Sequence, residues 1–202
     1  MQMFDSVVIA CDQINLDIAT AIRGVLEGFR LHVYLHVCVQ ERNVLDVLAG
    51  KIPHSSYVIL CATGGGFQVV TQREGVWGPA CVVLTPDFVR EKVALAGRGI
   101  ISMGCGTGRQ ELAQAFLHTG CRAFLGPDDL GPEDVHIDQD ANALFVITFF
   151  YHLLSGVRSP AHHRVEAETE AEAEAVRRAA AADSDLREGT HLYRYYTTNN
   201  ES

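Results

Sequence analysis

Short runs of β-branched residues alternate along this chain with segments whose apolar positions recur every three or four residues. Residues 5–10 (DSVVIA) read as a strand, and INLDIATAIRGVLEGF, from residue 14, places Ile14, Ile18, Ile22, Val25 and Leu26 on one helical stripe. LHVYLHVCV at 31–39 repeats the strand signal, and ERNVLDVLAGKI then carries Val44, Leu45 and Leu48 at helical spacing until Pro53 stops it. A third strand, SYVILCA at 56–62, runs into a triple-glycine turn. Two extended segments within residues 67–84 flank Arg73-Glu74-Gly75 and predict a β-hairpin or a small insertion that interrupts the alternation. DFVREKVALAG is a short helix, RGIISMG a fourth strand, RQELAQAFLHTG a helix closed by Gly120, and CRAFLGP a fifth strand. After the polar loop PDDLGPEDVHIDQD, the segment ANALFVITFFYHLLSG reads as an apolar core helix. Such alternation predicts an α/β fold, a three-layer sandwich whose mostly parallel central sheet is covered by helices on both faces.

The character of the chain changes after residue 157. Residues 1–157 are expected to form the α/β domain, and residues 158–202 an acidic Ala/Glu-rich arm with a Tyr-rich C-terminal segment. The arm favours helix by composition but shows almost no apolar stripe, which predicts an exposed helix or a partly disordered arm, with a partner-binding helix as the sharper alternative. HLYRYYTT at 191–198 concentrates three of the six tyrosines, so it returns to the body as an edge strand or packs on a second subunit, which leaves a homo-oligomer open.

Composition narrows the functions. A chain of 202 residues with 48% hydrophobic residues buries one sizeable core. A net charge of −9 offers no basic footprint for nucleic acid or an anionic membrane surface. Residues 143–154, the longest nearly apolar run, are too few to span a bilayer. The N-terminus enters a strand pattern without a basic n-region, so no secretion signal is expected. Six cysteines (Cys11, Cys38, Cys61, Cys81, Cys105, Cys121) stand singly with no CxxC pair, which fits a reducing cytoplasm better than a disulfide framework or zinc knuckle.

Candidate chemistry gathers where strands end. In an open α/β sheet, ligands bind outside the carboxyl ends of the strands, near a switch in strand order. CATGGG (61–66) and GCGTG (104–108) occupy two such ends. The second resembles the glycine loop of S-adenosylmethionine-dependent methyltransferases, a resemblance that implies that cofactor. Its context departs from that family: three strands precede it, and Ser102 stands where an acid is usual.

A longer resemblance covers the chain from Gly99 to Gly156. IISMGCGTG, then the helix with AQAFLHTG, then CRAFLGP, then FVITFFYHLL resemble, in that order, the caspase-like cysteine peptidase superfamily, which includes gingipain-like and CHAT-type domains. The likeness extends more weakly over residues 5–66 as a β-α-β-α-β order. It implies a caspase-like fold, a peptide or other acyl substrate, no cofactor, and Cys105 as the nucleophile of a cysteine hydrolase. Gly64 and the Cys105 amide would then supply oxyanion N–H groups, with Gly65, Gly104 and Gly106 lining the approach. Where the family has histidine, this chain has Thr63, whose hydroxyl is no base near neutral pH. Either the dyad is rearranged, with His136 in the loop after the fifth strand as the substitute, or the chain is an inactive pseudoenzyme serving as a binding or assembly module.

Other groups carry structural readings. His32 and His36 share one face of the second strand, His118 caps a helix end, His152 lies on the last core helix, and His162 and His163 sit in the arm. Cys61 and Cys105, at neighbouring strand ends, are a candidate redox pair or metal site, with two adjacent thiols as the plain alternative. The acidic loop lacks the spacing of a calcium loop.

Overall fold

The computed structural model describes residues 5–73, 76–127, 139–157, 171–179 and 193–198. Five parallel strands form the spine of the fold, four of them buried and the fifth, His32–Val37, a partly exposed edge. β1 (Ser6–Cys11), β2 (His32–Val37), β3 (Tyr57–Cys61), β6 (Gly99–Ser102) and β7 (Ala123–Pro127) are joined by antiparallel β8 (Tyr193–Thr197) in the order β2-β1-β3-β6-β7-β8. β4 (Gly66–Arg73) and β5 (Val76–Val83) form the predicted hairpin, a separate two-stranded sheet. The helices are α1 (Leu16–Gly28), α2 (Glu41–Leu48), α3 (Pro86–Lys92), α4 (Gln110–His118), α5 (Gln139–Val157) and α6 (residues 171–179).

Alternation along each strand divides the core in two. Val7, Ile9, Tyr57, Ile59, Ile101 and Leu125 face α1, α5 and α6. Val8, Ala10, Val58, Leu60, Ile100 and Phe124 face α2, α3, α4 and the inner side of the hairpin. The result is a three-layer α/β sandwich, as the periodicity predicts. Because β1, β3, β6 and β7 are covered on both sides, they read as nearly continuous apolar runs, whereas the edge strand β2 keeps polar positions.

Two details differ from the sequence reading, and one alternative it left open is decided. Ile14 and Val25 are exposed, because α1 starts only at Leu16 and turns its Ala19, Ile22 and Leu26 edge inward. α6 is not an exposed element: Ala175, Val176 and Ala179 pack into the α1/α5 core. Alanine is too small to announce a stripe, yet its methyl lets a helix lie close to its neighbours. Finally, the Tyr-rich tail takes the first of its two expected roles, as the edge strand β8 on β7. Among the described residues no helix is long and apolar enough to cross a membrane.

Candidate functional site

The sheet order switches direction at β1, where β2 lies on one side and β3 on the other, so the connections leaving β1 and β3 diverge at the carboxyl edge. Asp12 follows β1 directly and is fully buried. Its Oδ1 accepts from the backbone N–H of Asn15 at 3.0 Å and from Asn15 Nδ2 at 2.7 Å, and its Oδ2 accepts from the backbone N–H of Gln68 at 2.9 Å. Asn15 Nδ2 also donates to Thr63 Oγ1 at 3.1 Å. One carboxylate therefore ties the start of α1, the end of β3 and the hairpin together.

After β3, Thr63 and Gly66 exchange backbone hydrogen bonds of 3.2 and 3.1 Å across a two-residue turn. Gly64 and Gly65 have φ of +57° and +75°, the left-handed pair that such a tight turn demands. β6 is the neighbour of β3, and its exit turn lies against this one. A methyl added to Gly104 would sit 2.8 Å from the Gly65 nitrogen and 3.1 Å from its Cα. Only glycine allows that approach, and it places Cys105, the next residue, beside the Gly64-Gly65 turn.

Cys105 is half-buried, while Cys11, Cys38, Cys61 and Cys121 are buried. Burial pushes the Cys11 thiol up to about 11 and the Cys38 thiol up to about 12, and raises those of Cys61 and Cys121 as well. These four are slow nucleophiles as well as inaccessible ones. Cys81, on the hairpin, is exposed. No described residue accepts a hydrogen bond from the backbone N–H of Gly64, Gly65, Cys105 or Gly106. The site thus brings together a half-buried cysteine and backbone amides that have no acceptor among the described residues.

The turn itself is braced from behind. Thr107 Oγ1 donates to Gly104 O at 2.7 Å, and Gly108 N–H to Pro127 O at 2.7 Å. Tyr196 Oη donates to Gly108 O at 2.9 Å. Tyr193 Oη donates to Asn142 Oδ1 at 2.9 Å, and Asn142 Nδ2 to Met103 O at 3.1 Å. The edge strand β8 therefore holds the turn that presents Cys105.

Of the residues expected from sequence, Gly64, Gly65, Gly104, Cys105 and Gly106 meet on one rim. His136 lies outside the described residues. Among the described histidines none shares this rim with Cys105. His36 is on β2, three strand spacings or about 14 Å from β6. His32 starts β2, and His54 precedes β3. His118 ends α4, with Nδ1 3.0 Å from Gln114 O, and His152 has its pKa lowered by burial and, less, by the charge of Arg178. Thr63, at the position where the resemblance calls for histidine, accepts from Asn15.

A methyl on Gly108 would meet Gly126 O at 2.5 Å and one on Gly104 would meet the Gly65 nitrogen, so these two glycines are required by the packing of the chain on itself. Cys61 is not joined to Cys105: its Sγ points into the core, 3.3 Å from Met103 Sδ. Among the described residues no cluster of three or more His, Cys, Asp or Glu side chains forms a metal site.

Sequence reasoning missed Asp12, Asn15, Asn142 and the bracing tyrosines. The only advance signal was the cluster of tyrosines in HLYRYYTT. Gly104→Ala tests the contact between the two turns. We expect a loss of about 1–3 kcal/mol in urea unfolding, the usual cost of an unaccommodated methyl. The Cys105 thiol should stay reactive to iodoacetamide while binding of a peptide aldehyde weakens, because the amides move away from the sulfur.

No family model matches this chain, and no curated protein matches it. Among solved structures it is similar to a short-chain flavodoxin associated with a non-canonical PDU bacterial microcompartment, at 17% identity and a TM-score of 0.33, over 59% of this chain and 78% of the flavodoxin. It is also similar to the last common ancestor of HMPPK and PLK/HMPPK vitamin kinases, at 11% identity and a TM-score of 0.32, over 86% of this chain and 99% of that one. At those scores neither likeness bears on the site.

Proposed function

We propose that this chain is a caspase-like domain that keeps the acyl-binding half of a cysteine hydrolase site without a resident base, and so holds an extended peptide or other acyl group at Cys105 instead of turning it over. The observation that carries this reading is the packing of Gly104 on Gly65. It sets a thiol and unengaged amides on one rim, with Thr63, bonded to Asn15, beside them. The order of the elements agrees with the caspase-like resemblance, in which the glycine turn follows the third strand and the cysteine ends the next strand of the main sheet. The six free cysteines suit a reducing compartment.

In this reading a carbonyl oxygen of the bound group takes the amides of the Gly64-Gly65 turn, and Cys105 Sγ faces the carbonyl carbon. Turnover would need a base to take the thiol proton as the S–C bond forms, and an acid to return it to the leaving amine or alcohol. Thr63 can do neither. A second reading, an active hydrolase with His136 as base, draws support from one contact: Pro127, the last residue of β7, accepts from Gly108. Pro127, nine positions before His136 in sequence, is thus bonded to a residue three positions from Cys105.

Iodoacetamide is expected to alkylate Cys105 faster than exposed Cys81, with no steady turnover of p-nitrophenyl acetate or a peptide thioester by the native chain. Thr63→His should raise ester and thioester hydrolysis about 100-fold, the lower end of what general acid–base catalysis supplies. Cys105→Ser in that background should remove the gain. Turnover by the native chain that disappears in His136→Ala would establish the second reading instead. Labelling of Cys105 no faster than that of Cys81 would defeat both.

A further inference from the structure

Beyond the thiol, the carboxyl rim carries a second feature that the acyl-binding reading does not use. β4 begins at Gly66, directly after the turn that touches Gly104, and runs away from Cys105 for eight residues. It is seated over the ends of β1 and β2: Gln68 N–H donates to Asp12, and Val70 N–H donates to Val39 O at 2.8 Å. The inner face of the hairpin, with Phe67, Val69 and Val82, is buried on α2 and its neighbours. Its outer face presents Val70, 37% exposed, and Trp77, 55% exposed. Between this outer face and the start of α2 lies a cavity of about 270 Å³, lined by Leu45, Val70 and Trp77 together with the charged pair Glu41 and Arg42 and three neutral polar residues.

We propose that this cavity is a side-chain subsite for the same peptide, taking one large aliphatic or aromatic residue four to six positions from the group held at Cys105. The inference rests on the acyl-binding reading for its other end. The volume falls below that of pockets that enclose whole drug-sized ligands and suits a single side chain. Glu41 and Arg42 carry opposite charges and the other polar lining residues are neutral, so the cavity suits an uncharged side chain and its apolar residues set the preference. Spacing sets the register: at about 3.4 Å per residue, Val70 lies about 14 Å along β4 from Gly66 and Gln72 about 20 Å. An extended peptide that starts at the Gly64-Gly65 turn reaches the cavity over the same number of residues. The occupant is thus an extended segment of a partner protein with a bulky apolar residue at that distance.

Trp77 is the single tryptophan of the chain, so its emission reports on the cavity directly. The probes are alanine-based peptides of three to eight residues with or without one leucine, capped with acetyl or carrying an iodoacetyl or chloromethyl ketone group at either end. The protein carries Cys81→Ser to confine alkylation to Cys105. With the electrophilic peptides, leucine four to six residues from the electrophile should accelerate labelling of Cys105 about tenfold over the all-alanine peptide, and should shift Trp77 emission to shorter wavelength. Val70→Arg should abolish both effects without changing the rate with free iodoacetamide. Acetyl-capped leucine peptides titrated against Cys105→Ser read the cavity without the thiol, and an unmoved Trp77 emission there overturns the subsite whatever Cys105 does. Rapid labelling of Cys105 that ignores peptide length and leucine also overturns it, while leaving the acyl-binding reading intact. Loss of selective Cys105 alkylation beside a leucine-dependent Trp77 shift keeps the subsite and removes the acyl reading.

Discussion

Asp12→Ala should cost the fold about 3–5 kcal/mol and detach the hairpin from the carboxyl rim before the rest of the sheet opens. The carboxylate is fully buried and accepts three N–H bonds, two from Asn15 and one from Gln68. Truncation leaves the Asn15 backbone N–H without its acceptor and the Asn15 amide with Thr63 alone, in a site that is itself only 4% exposed, which carries most of the penalty. Gln68 is exposed, so its N–H recovers water and contributes less. Asp12→Asn separates charge from shape, because its amide can still accept from Asn15 but must turn a donor toward the Gln68 N–H. That variant should unfold at an intermediate urea concentration and still release the hairpin. Urea unfolding followed by circular dichroism gives the first quantity, and amide exchange at Gln68 and Val70 gives the second. An Asp12→Ala protein with parental stability and parental exchange at Gln68 would show that the buried carboxylate does not hold the rim.

The same residue marks the limit of what the sequence discloses. Strand runs, helix spacing and the hairpin around Arg73-Glu74-Gly75 are local signals, and they place β1, β3, β4, β5, β6 and β7 within a residue or two. The meeting of Gly65 with Gly104 follows from the order of strands, which the α/β alternation and the family resemblance both point to. Asp12 is different. An acid after a strand reads as solvated loop, and it is buried only because Gln68, 56 positions later, lays its N–H upon it. α6 was hidden for another reason: Ala175 and Ala179 carry little hydrophobic signal, and Glu172 sits where a buried apolar residue is expected. Ile14 misled in the opposite direction, because helical spacing continued past the true start of α1.

Glu172 supplies the other large expected effect, at the opposite edge of the sheet. Its side chain is 1% exposed and gathers three partners. Tyr57 Oη and Arg122 Nη2 donate to Oε1, the latter at 2.6 Å, and Tyr195 Oη donates to Oε2 at 2.8 Å. Tyr57 is packed edge-on against Phe149 and Phe150, with the Arg122 guanidinium 5.1 Å from its ring centre. Burial raises the hydroxyls of Tyr57 and Tyr195, and the nearby Glu172 charge raises them further, so both remain donors at any pH the fold survives. Glu172→Ala leaves two buried hydroxyls and a guanidinium without their shared acceptor. Removing one partner of a buried pair costs about 3–5 kcal/mol, and the 27% exposure of Arg122 places this case at the lower end. The consequence should travel. α6 and β8 are joined through Glu172 and Tyr195, and β8 also carries Tyr193 and Tyr196, which brace Met103 through Asn142 and Gly108 directly. Glu172→Ala is therefore expected to speed amide exchange throughout β8 and to weaken peptide-aldehyde binding at Cys105, although the two residues lie at opposite edges of the sheet. Tyr193→Phe should reproduce the weakened binding with less loss of stability, because it releases the brace and leaves the Glu172 cluster in place. If Glu172→Ala destabilises the chain while binding at Cys105 and exchange in β8 stay parental, the edge strand does not transmit the strain and the brace belongs to the turn alone.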